Sequence, residues 1–154
     1  PPMCFLKLFG PQSFKPFATT TTMPVYSAYD AGEAMSKHRI ATTHRISFSV
    51  SDREWDDFRG QVVDAVTFLT THGDELARCL ASLDVDLAFL DFPIYSRLED
   101  GVVNQNDRLP AELVALAGRY HLGIEMALYD RDGLDAVLFE PRNDAPSARE
   151  DETS

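Results

Sequence analysis

The sequence predicts an α+β domain of the ferredoxin-like kind, with element order β-α-β-β-α-β, a mostly antiparallel sheet and helices on one face. Three observations carry this reading. Ile46, Phe48 and Val50 alternate with Arg45, Ser47 and Ser49, and Ile124, Met126 and Leu128 alternate with Glu125, Ala127 and Tyr129. Period two is the mark of half-buried strands. Val85–Phe92 is nearly all apolar apart from Asp86 and Asp91, as in a strand buried on both faces. Two stretches with apolar residues at helical spacing, starting near Trp55 and near Leu113, separate these runs.

Taken in order, the structured part is expected to begin at His44. Ser51-Asp52-Arg53-Glu54 matches a capping box, so the first helix is expected from Asp52. Trp55, Phe58, Val62, Ala65, Val66 and Leu69 share its inner face. Gly60 within it costs about 1 kcal/mol against Ala, which points to tight packing or a bend. His72-Gly73 reads as the helix end, with Asp74 capping a second short helix through Ser82. Pro93 predicts a bulge or an edge in the apolar strand, which can continue over Ile94–Leu98. Asp100-Gly101 signals a hairpin with Val102–Gln105 as its return strand. Pro110 opens a helix with Leu113, Leu116, Ala117 and Tyr120 inward, and Gly123 can cap it. Asp132-Gly133 is a further turn signal, with Leu134–Phe139 as a short last strand. The expected core packs Trp55, Phe58, Leu113 and Leu116 against Phe48, Leu87, Phe89 and Met126.

The ends read differently. Residues 1–42 hold five of the nine prolines, the run Thr19–Thr22 and no amphipathic period. They are expected to be a disordered or extended segment, and Met35 would serve as an ordinary start if the reading frame is over-extended. The alternative is a partner-binding segment built on Phe5, Phe9, Phe14 and Phe17. Residues 43–140 form the single α+β domain, and 141–154 a disordered acidic tail. Met3–Phe9 is too short, and Lys7 too polar, for a secretory signal.

Charge excludes some functions. Of the net −11, residues 43–140 supply all of it, while 1–42 are +2 and 141–154 are −2. Such a balance argues against nucleic acid; it serves solubility alone or suits a basic protein partner by electrostatic steering. No apolar run is long enough for a membrane span. Two cysteines, Cys4 and Cys79, make no disulfide framework, and Cys79 reads as a core residue. Together these suggest a reducing cytoplasm. His38, His44, His72 and His121 lack ligand spacing, and His72 and His121 fall at expected helix C-termini, where a cation meets the dipole. Asp130-x-Asp132-Gly133-x-Asp135 has its glycine at the wrong position for a calcium loop. No phosphate loop, nucleophile elbow or zinc-protease motif occurs, and no cofactor or metal is expected.

Three segments carry a likeness: Leu90-Asp91-Phe92-Pro93-Ile94-Tyr95-Ser96-Arg97, Asn106-Asp107-Arg108-Leu109-Pro110-Ala111-Glu112-Leu113 and Leu122-Gly123-Ile124-Glu125-Met126-Ala127-Leu128-Tyr129. Over about residues 62–129 the chain resembles a group of small uncharacterised bacterial proteins. The resemblance implies a bacterial, intracellular domain of unknown function, and some small domains of this kind look like toxin-neutralising immunity proteins. It brings no catalytic residues with it.

Asp91 is the most informative single residue. By alternation it shares a strand face with Val85, Leu87 and Phe89, where a carboxylate must be paired, hydrogen-bonded or protonated. At a strand rim it would simply cap backbone amides. In a functional reading it joins Tyr95, Arg97, Asn104 and Asn106 in a polar ligand site. The exposed acids Asp56, Asp57, Glu99 and Asp100 are the candidates for meeting a basic partner. The first function expected is therefore a small acidic, immunity-like protein-binding domain, and not an enzyme. The second is a small-ligand binder or enzyme around Asp91, Tyr95 and Arg97. The third is a homo-oligomer paired through a sheet edge at Val102–Gln105 or Leu134–Phe139.

Overall fold

Cys4, Leu6 and Leu8 are fully buried on one side of a strand, while Phe5, Lys7 and Phe9 lie half-buried on the other. That strand, β1 (Cys4–Gly10), is the centre of the sheet. The computed structural model describes residues 4–99 and 101–132. The other elements are α1 (Lys15–Ala18), β2 (Val25–Tyr29), β3 (Ala34–Ser36), β4 (Arg39–Ile40), β5 (His44–Ser51), α2 (Phe58–Ser82), β6 (Leu87–Tyr95), α3 (Ala111–Arg119) and β7 (Gly123–Tyr129). The fold is α+β, a mixed five-stranded sheet in the order β2-β5-β1-β6-β7 with a separate β3–β4 ribbon.

The expectation that residues 1–42 stand outside the domain is corrected here. β1 pairs antiparallel with β5 on one side and with β6 on the other. Phe14 and Met23 enter the same core. A domain starting at Met35 would lack the strand that joins both halves of its sheet. The alternation was hidden because five of the seven residues in β1 are apolar on one face or the other, leaving only Lys7 to mark the outer side.

β5 and β6 both run antiparallel to β1, so they run parallel to each other, and α2 crosses between them with β1 in the gap. β6 and β7 are adjacent and parallel, joined by α3. The helix-facing side of β6 carries Leu90, Phe92 and Ile94, all buried. Leu87 and Phe89 therefore point away from the helices, the reverse of the expected packing, and Leu87 is 53% exposed. Pro93 makes no bulge against β7 and lies on a local edge of β6, one of the two places expected of it. It falls where β6 has run past its pairing with β1, which ends at Asp91 opposite Phe5, so its missing N–H costs no bond to that strand.

The helix boundaries also differ. Ser51 stays in β5, donating its hydroxyl to Asp64 Oδ2 at 2.7 Å and accepting from Arg53 N at 3.2 Å. α2 starts six residues later than expected from Asp52, capped by Asp57, whose Oδ1 accepts from Gly60 N at 2.9 Å. Trp55 thus lies in the loop before α2. The helix then runs unbroken through His72-Gly73 to Ser82. Gly73 is not a cap but a point of close approach, since a Cβ there would collide with the Tyr120 hydroxyl at the end of α3. His121, with φ 54°, takes the left-handed position after α3, and Gly123 is already strand. Asp100-Gly101 does signal a turn: Gly101 has φ 88° and Val102 N donates to Glu99 O at 2.8 Å. No return strand follows, because residues 102–110 hold no regular element. Sheet-edge pairing at Val102–Gln105 is therefore not available, and the described edges are β2 and β7. Leu134–Phe139, the tail 141–154 and the end of the Asp130–Asp135 turn lie outside the described residues.

Two clamps hold the N-terminal third. Lys15 pairs with Glu33, and His44 Nδ1 meets Asp30 Oδ1 at 3.0 Å. Glu75 on α2 accepts from Thr21 and Thr22. These hydrogen bonds hold three carboxyls below the ordinary carboxylate range: Glu75 through Thr21 and then Thr22, Glu33 through Lys15, and Asp30 through Ser13 and His44.

Two outcomes are expected. Gly73→Ala destabilises the domain by about 1–3 kcal/mol in urea unfolding, and Tyr120→Phe in the same background recovers part of the loss by removing the colliding oxygen. A depressed carboxyl stabilises the fold above its unfolded-state pKa and loses that contribution as pH falls through its folded value. Amide exchange at 19–22 and 30–33 is therefore expected to accelerate in acid before the core strands open.

Candidate functional site

The three parallel-running strands β5, β6 and β7 deliver their carboxyl ends to one side of the sheet, the usual place for sites in such arrangements. Two connections meet there, residues 52–57 before α2 and residues 96–110 before α3. Between them opens a cleft of about 610 Å³. Phe58, Val62, Val63 and Pro110 give it apolar walls, and Asp56, Asp57, Arg59, Arg97, Asn106, Asp107 and Arg108 give it polar ones.

Gln61 fixes one side of this end. It is fully buried on α2, and its Nε2 donates to Glu54 O at 3.1 Å and to Pro93 O at 3.0 Å. One amide thus ties the loop before α2 to the strand end of β6, while its Oε1 meets no partner among the described residues. Trp55 completes the tie. Its ring stacks on Tyr129 at 4.5 Å and tilts against Tyr95 at 5.3 Å, and its carbonyl accepts from Tyr95 N at 3.1 Å. Arg131 lies over the Tyr95 ring at 4.5 Å and reaches Asp56 at 3.8 Å.

The other side is a clasp. Arg97 Nη2 donates to Asp107 Oδ1 at 2.7 Å, Arg97 N donates to Gln105 Oε1 at 2.7 Å, and Gln105 Nε2 donates to Asp107 Oδ2 at 2.7 Å. The clasp closes the base of the 96–110 connection. Its tip then projects Leu98, Val102 and Val103, which are 50%, 52% and 92% exposed.

The residues singled out from the sequence divide between two places. Arg97, Asn106, Asp56 and Asp57 come together in the cleft. Asp57 is occupied as the α2 cap, and Arg97 is occupied by Asp107. Glu99 and Asn104 are exposed on the 96–110 connection, and Asp100 lies outside the described residues. Tyr95 belongs to the aromatic cluster with Trp55. Asp91 is elsewhere, on the sheet face that the helices leave open, and is 8% exposed. It does share a face with Leu87 and Phe89, and it sits beside Glu125 on β7. Its ion-pair partner is Lys7 on β1, not Arg97. Asp91 Oδ1 meets no hydrogen-bond partner among the described residues.

Sequence reasoning missed Lys7, Gln61 and Arg45. The signal for Arg45 was available, as a cation at an outward position of the alternating strand β5; that for Lys7 was hidden, because Phe5 and Phe9 beside it make the outer side of β1 apolar. Gln61 gave none, since a glutamine on a helix is ordinarily solvated. Both thiols are in the core, as expected for Cys79. Burial raises Cys4 well above the ordinary thiol range and Cys79 to about 11, so neither is a reactive thiolate. His72 sits inside α2 against Phe68 at 4.9 Å rather than at a helix end. No described helix is long and apolar enough to cross a membrane.

Comparison with protein-family models, curated proteins and solved structures finds no match.

Removing one member of the Lys7–Asp91 pair strands the other in a half-apolar surround. Lys7→Met is expected to cost about 3 kcal/mol in chemical unfolding. The double change Lys7→Met with Asp91→Leu should recover most of it, because two apolar side chains leave no unpaired charge. Gln61→Leu should cost about 1–3 kcal/mol and increase amide exchange in residues 52–57, because the Pro93 carbonyl loses a buried donor and the Glu54 carbonyl, which also accepts from Asp57 N, loses its tie to α2.

Proposed function

We propose that the chain is a small acidic protein-binding domain, immunity-like in kind, that masks a basic partner through the cleft and its projecting loop. The carrying observation is the anatomy of that loop: a hydrogen-bonded base and a tip of three exposed aliphatic residues beside carboxylates. Long connections without secondary structure in a compact domain are usually functional or disordered, and the clasp at 97, 105 and 107 argues for function here. Val63, 57% exposed on the facing wall of the cleft, extends the apolar patch. Asp56 and Glu99 supply acidic rim positions. An apolar centre with a charged rim is the ordinary anatomy of a protein interface, in which the centre gives affinity and the rim gives steering. The net charge of −11 favours a basic partner.

In this reading Arg97 and Asp107 are positioning residues that hold the loop, not ligands of a small molecule. The ferredoxin-like reading of the scaffold is supported by the β5–α2–β6 crossover with β1 between its strands. A cytoplasmic setting fits a chain with two buried free cysteines.

Val103→Asp and Asp56→Lys/Glu99→Lys baits, compared with wild type in lysate of the source organism, test the proposal. One basic protein should be held in stoichiometric amount by wild type, leave at high salt, and be lost from both variants, which melt as wild type does. A partner held equally by wild type and Val103→Asp would overturn the loop as the binding element. Retention unchanged by salt and by the lysines would overturn the electrostatic part.

A further inference from the structure

The open face of the sheet holds a second concavity, separate from the cleft. Phe5 from β1, Tyr26 and Tyr29 from β2, Met35 from β3, and Arg45 and Ser47 from β5 border a groove of about 320 Å³. That volume is at the small end of ligand pockets.

Arg45 sets the charge this groove wants. Its guanidinium lies over the Phe9 ring at 4.6 Å, and its Nη1 contacts Met35 Sδ at 3.6 Å. It meets no carboxylate among the described residues, in a chain with 25 acids. The neighbouring strong charge is another cation, Arg39 on β4. Partial burial, and after it the charge of Arg39, both lower the Arg45 pKa. An anion seated on Arg45 would offset the repulsion from Arg39. Lys7, also on the border, is neutralised by Asp91 and so does not compete for that anion.

The rings set the rest. Tyr26 is 54% exposed and tilts against Phe5 with ring centroids 4.9 Å apart. No described helix covers them, since α2 and α3 pack on the opposite side of the sheet. Exposed rings on an open sheet accept a planar group by stacking. The Ser47 hydroxyl, on a residue only 5% exposed, and the tyrosine hydroxyls add hydrogen-bonding groups along the border.

We propose that this groove binds a small ring-bearing anion, a planar aromatic or heterocyclic ring carrying one phosphate or carboxylate, with the anionic group on Arg45 and the ring against Phe5 and Tyr26. Phosphate and carboxylate share the geometry that a guanidinium grips with two parallel bonds. The site is distinct from the cleft, so its failure would leave the loop reading standing.

The test is an NMR titration of the full chain with adenosine monophosphate and with 4-hydroxyphenylacetate, one ring-bearing phosphate and one ring-bearing carboxylate. Adenosine and inorganic phosphate supply the ring and the anion alone. At least one ring-bearing anion should give saturable shifts at the amides of Tyr26, Ser27, Arg45 and Ser47, with adenosine and phosphate each weaker by about tenfold or more. Arg45→Gln should lose about tenfold in affinity, and Tyr26→Ser about threefold, with the melting temperature unchanged. If Arg45→Gln melts early, Arg45→Lys keeps the charge and loses the planar fork, and should bind with intermediate affinity. Absence of saturable shifts from both ring-bearing anions at millimolar concentration overturns the proposal. Binding unaffected by the Arg45 variants, or phosphate alone binding as well as the nucleotide, overturns it too. An oligonucleotide that binds far more tightly than the mononucleotide would replace the small anion with a nucleic-acid strand.

Discussion

β1 is hydrogen-bonded on both sides, and everything else in the molecule is arranged around that fact. Its pairing with β5 spans Cys4 to Gly10, and its pairing with β6 spans Phe5 to Phe9. Without it the sheet is two fragments: a β2–β5 antiparallel pair and a β6–β7 parallel pair, neither with enough strands to stand alone in water. Because β1 lies between β5 and β6, the α2 crossover must span two strand spacings, about 10 Å. A continuous 25-residue helix does this while covering Leu6, Leu8 and Leu90 with Ala65, Leu69 and Leu76. The Lys7–Asp91 pair adds a charge contact across the same seam on the open side.

The two proposed sites follow from this layout. The cleft exists because β5, β6 and β7 point the same way and give their loops to one end. The groove exists because all the described helices of any length pack on one face and leave the other to side chains of alternating parity. Gln61 and Trp55 then stiffen the cleft end, and the β3–β4 ribbon borders the groove through Met35.

How legible these features were depended on whether a single face of an element was polar. β5 and β7 were readable because serines, Arg45 and Glu125 mark their outward sides. α3 was readable because Leu113 and Ala117 repeat at helical spacing. β1 was not, since Phe5 and Phe9 make its outer face as apolar as its inner one. Ser51 and Glu54 imitate a capping box, yet the Ser51 hydroxyl is engaged with Asp64, a contact between residues 13 apart that no local pattern contains. Gly73 looked like a helix end because its real reason, the Tyr120 hydroxyl, lies 47 residues away. In the site, the exposed acids were visible, but the Arg97–Gln105–Asp107 clasp and the partner of Asp91 depend on tertiary placement.

The position of β1 also bears on how the chain is made. A ribosome emits Lys7 84 residues before Asp91, the residue it pairs with. At about 5–20 residues per second, that separation is roughly 4–17 seconds. Throughout it, a strand apolar on both faces has at most one neighbour, β5, and keeps one row of backbone donors and acceptors bare. The central pairing is therefore non-local, and the sheet cannot be completed until β6 has emerged. Newly made chains are thus vulnerable to edge-to-edge association at β1, the same strand that is hydrogen-bonded on both sides once folding is complete.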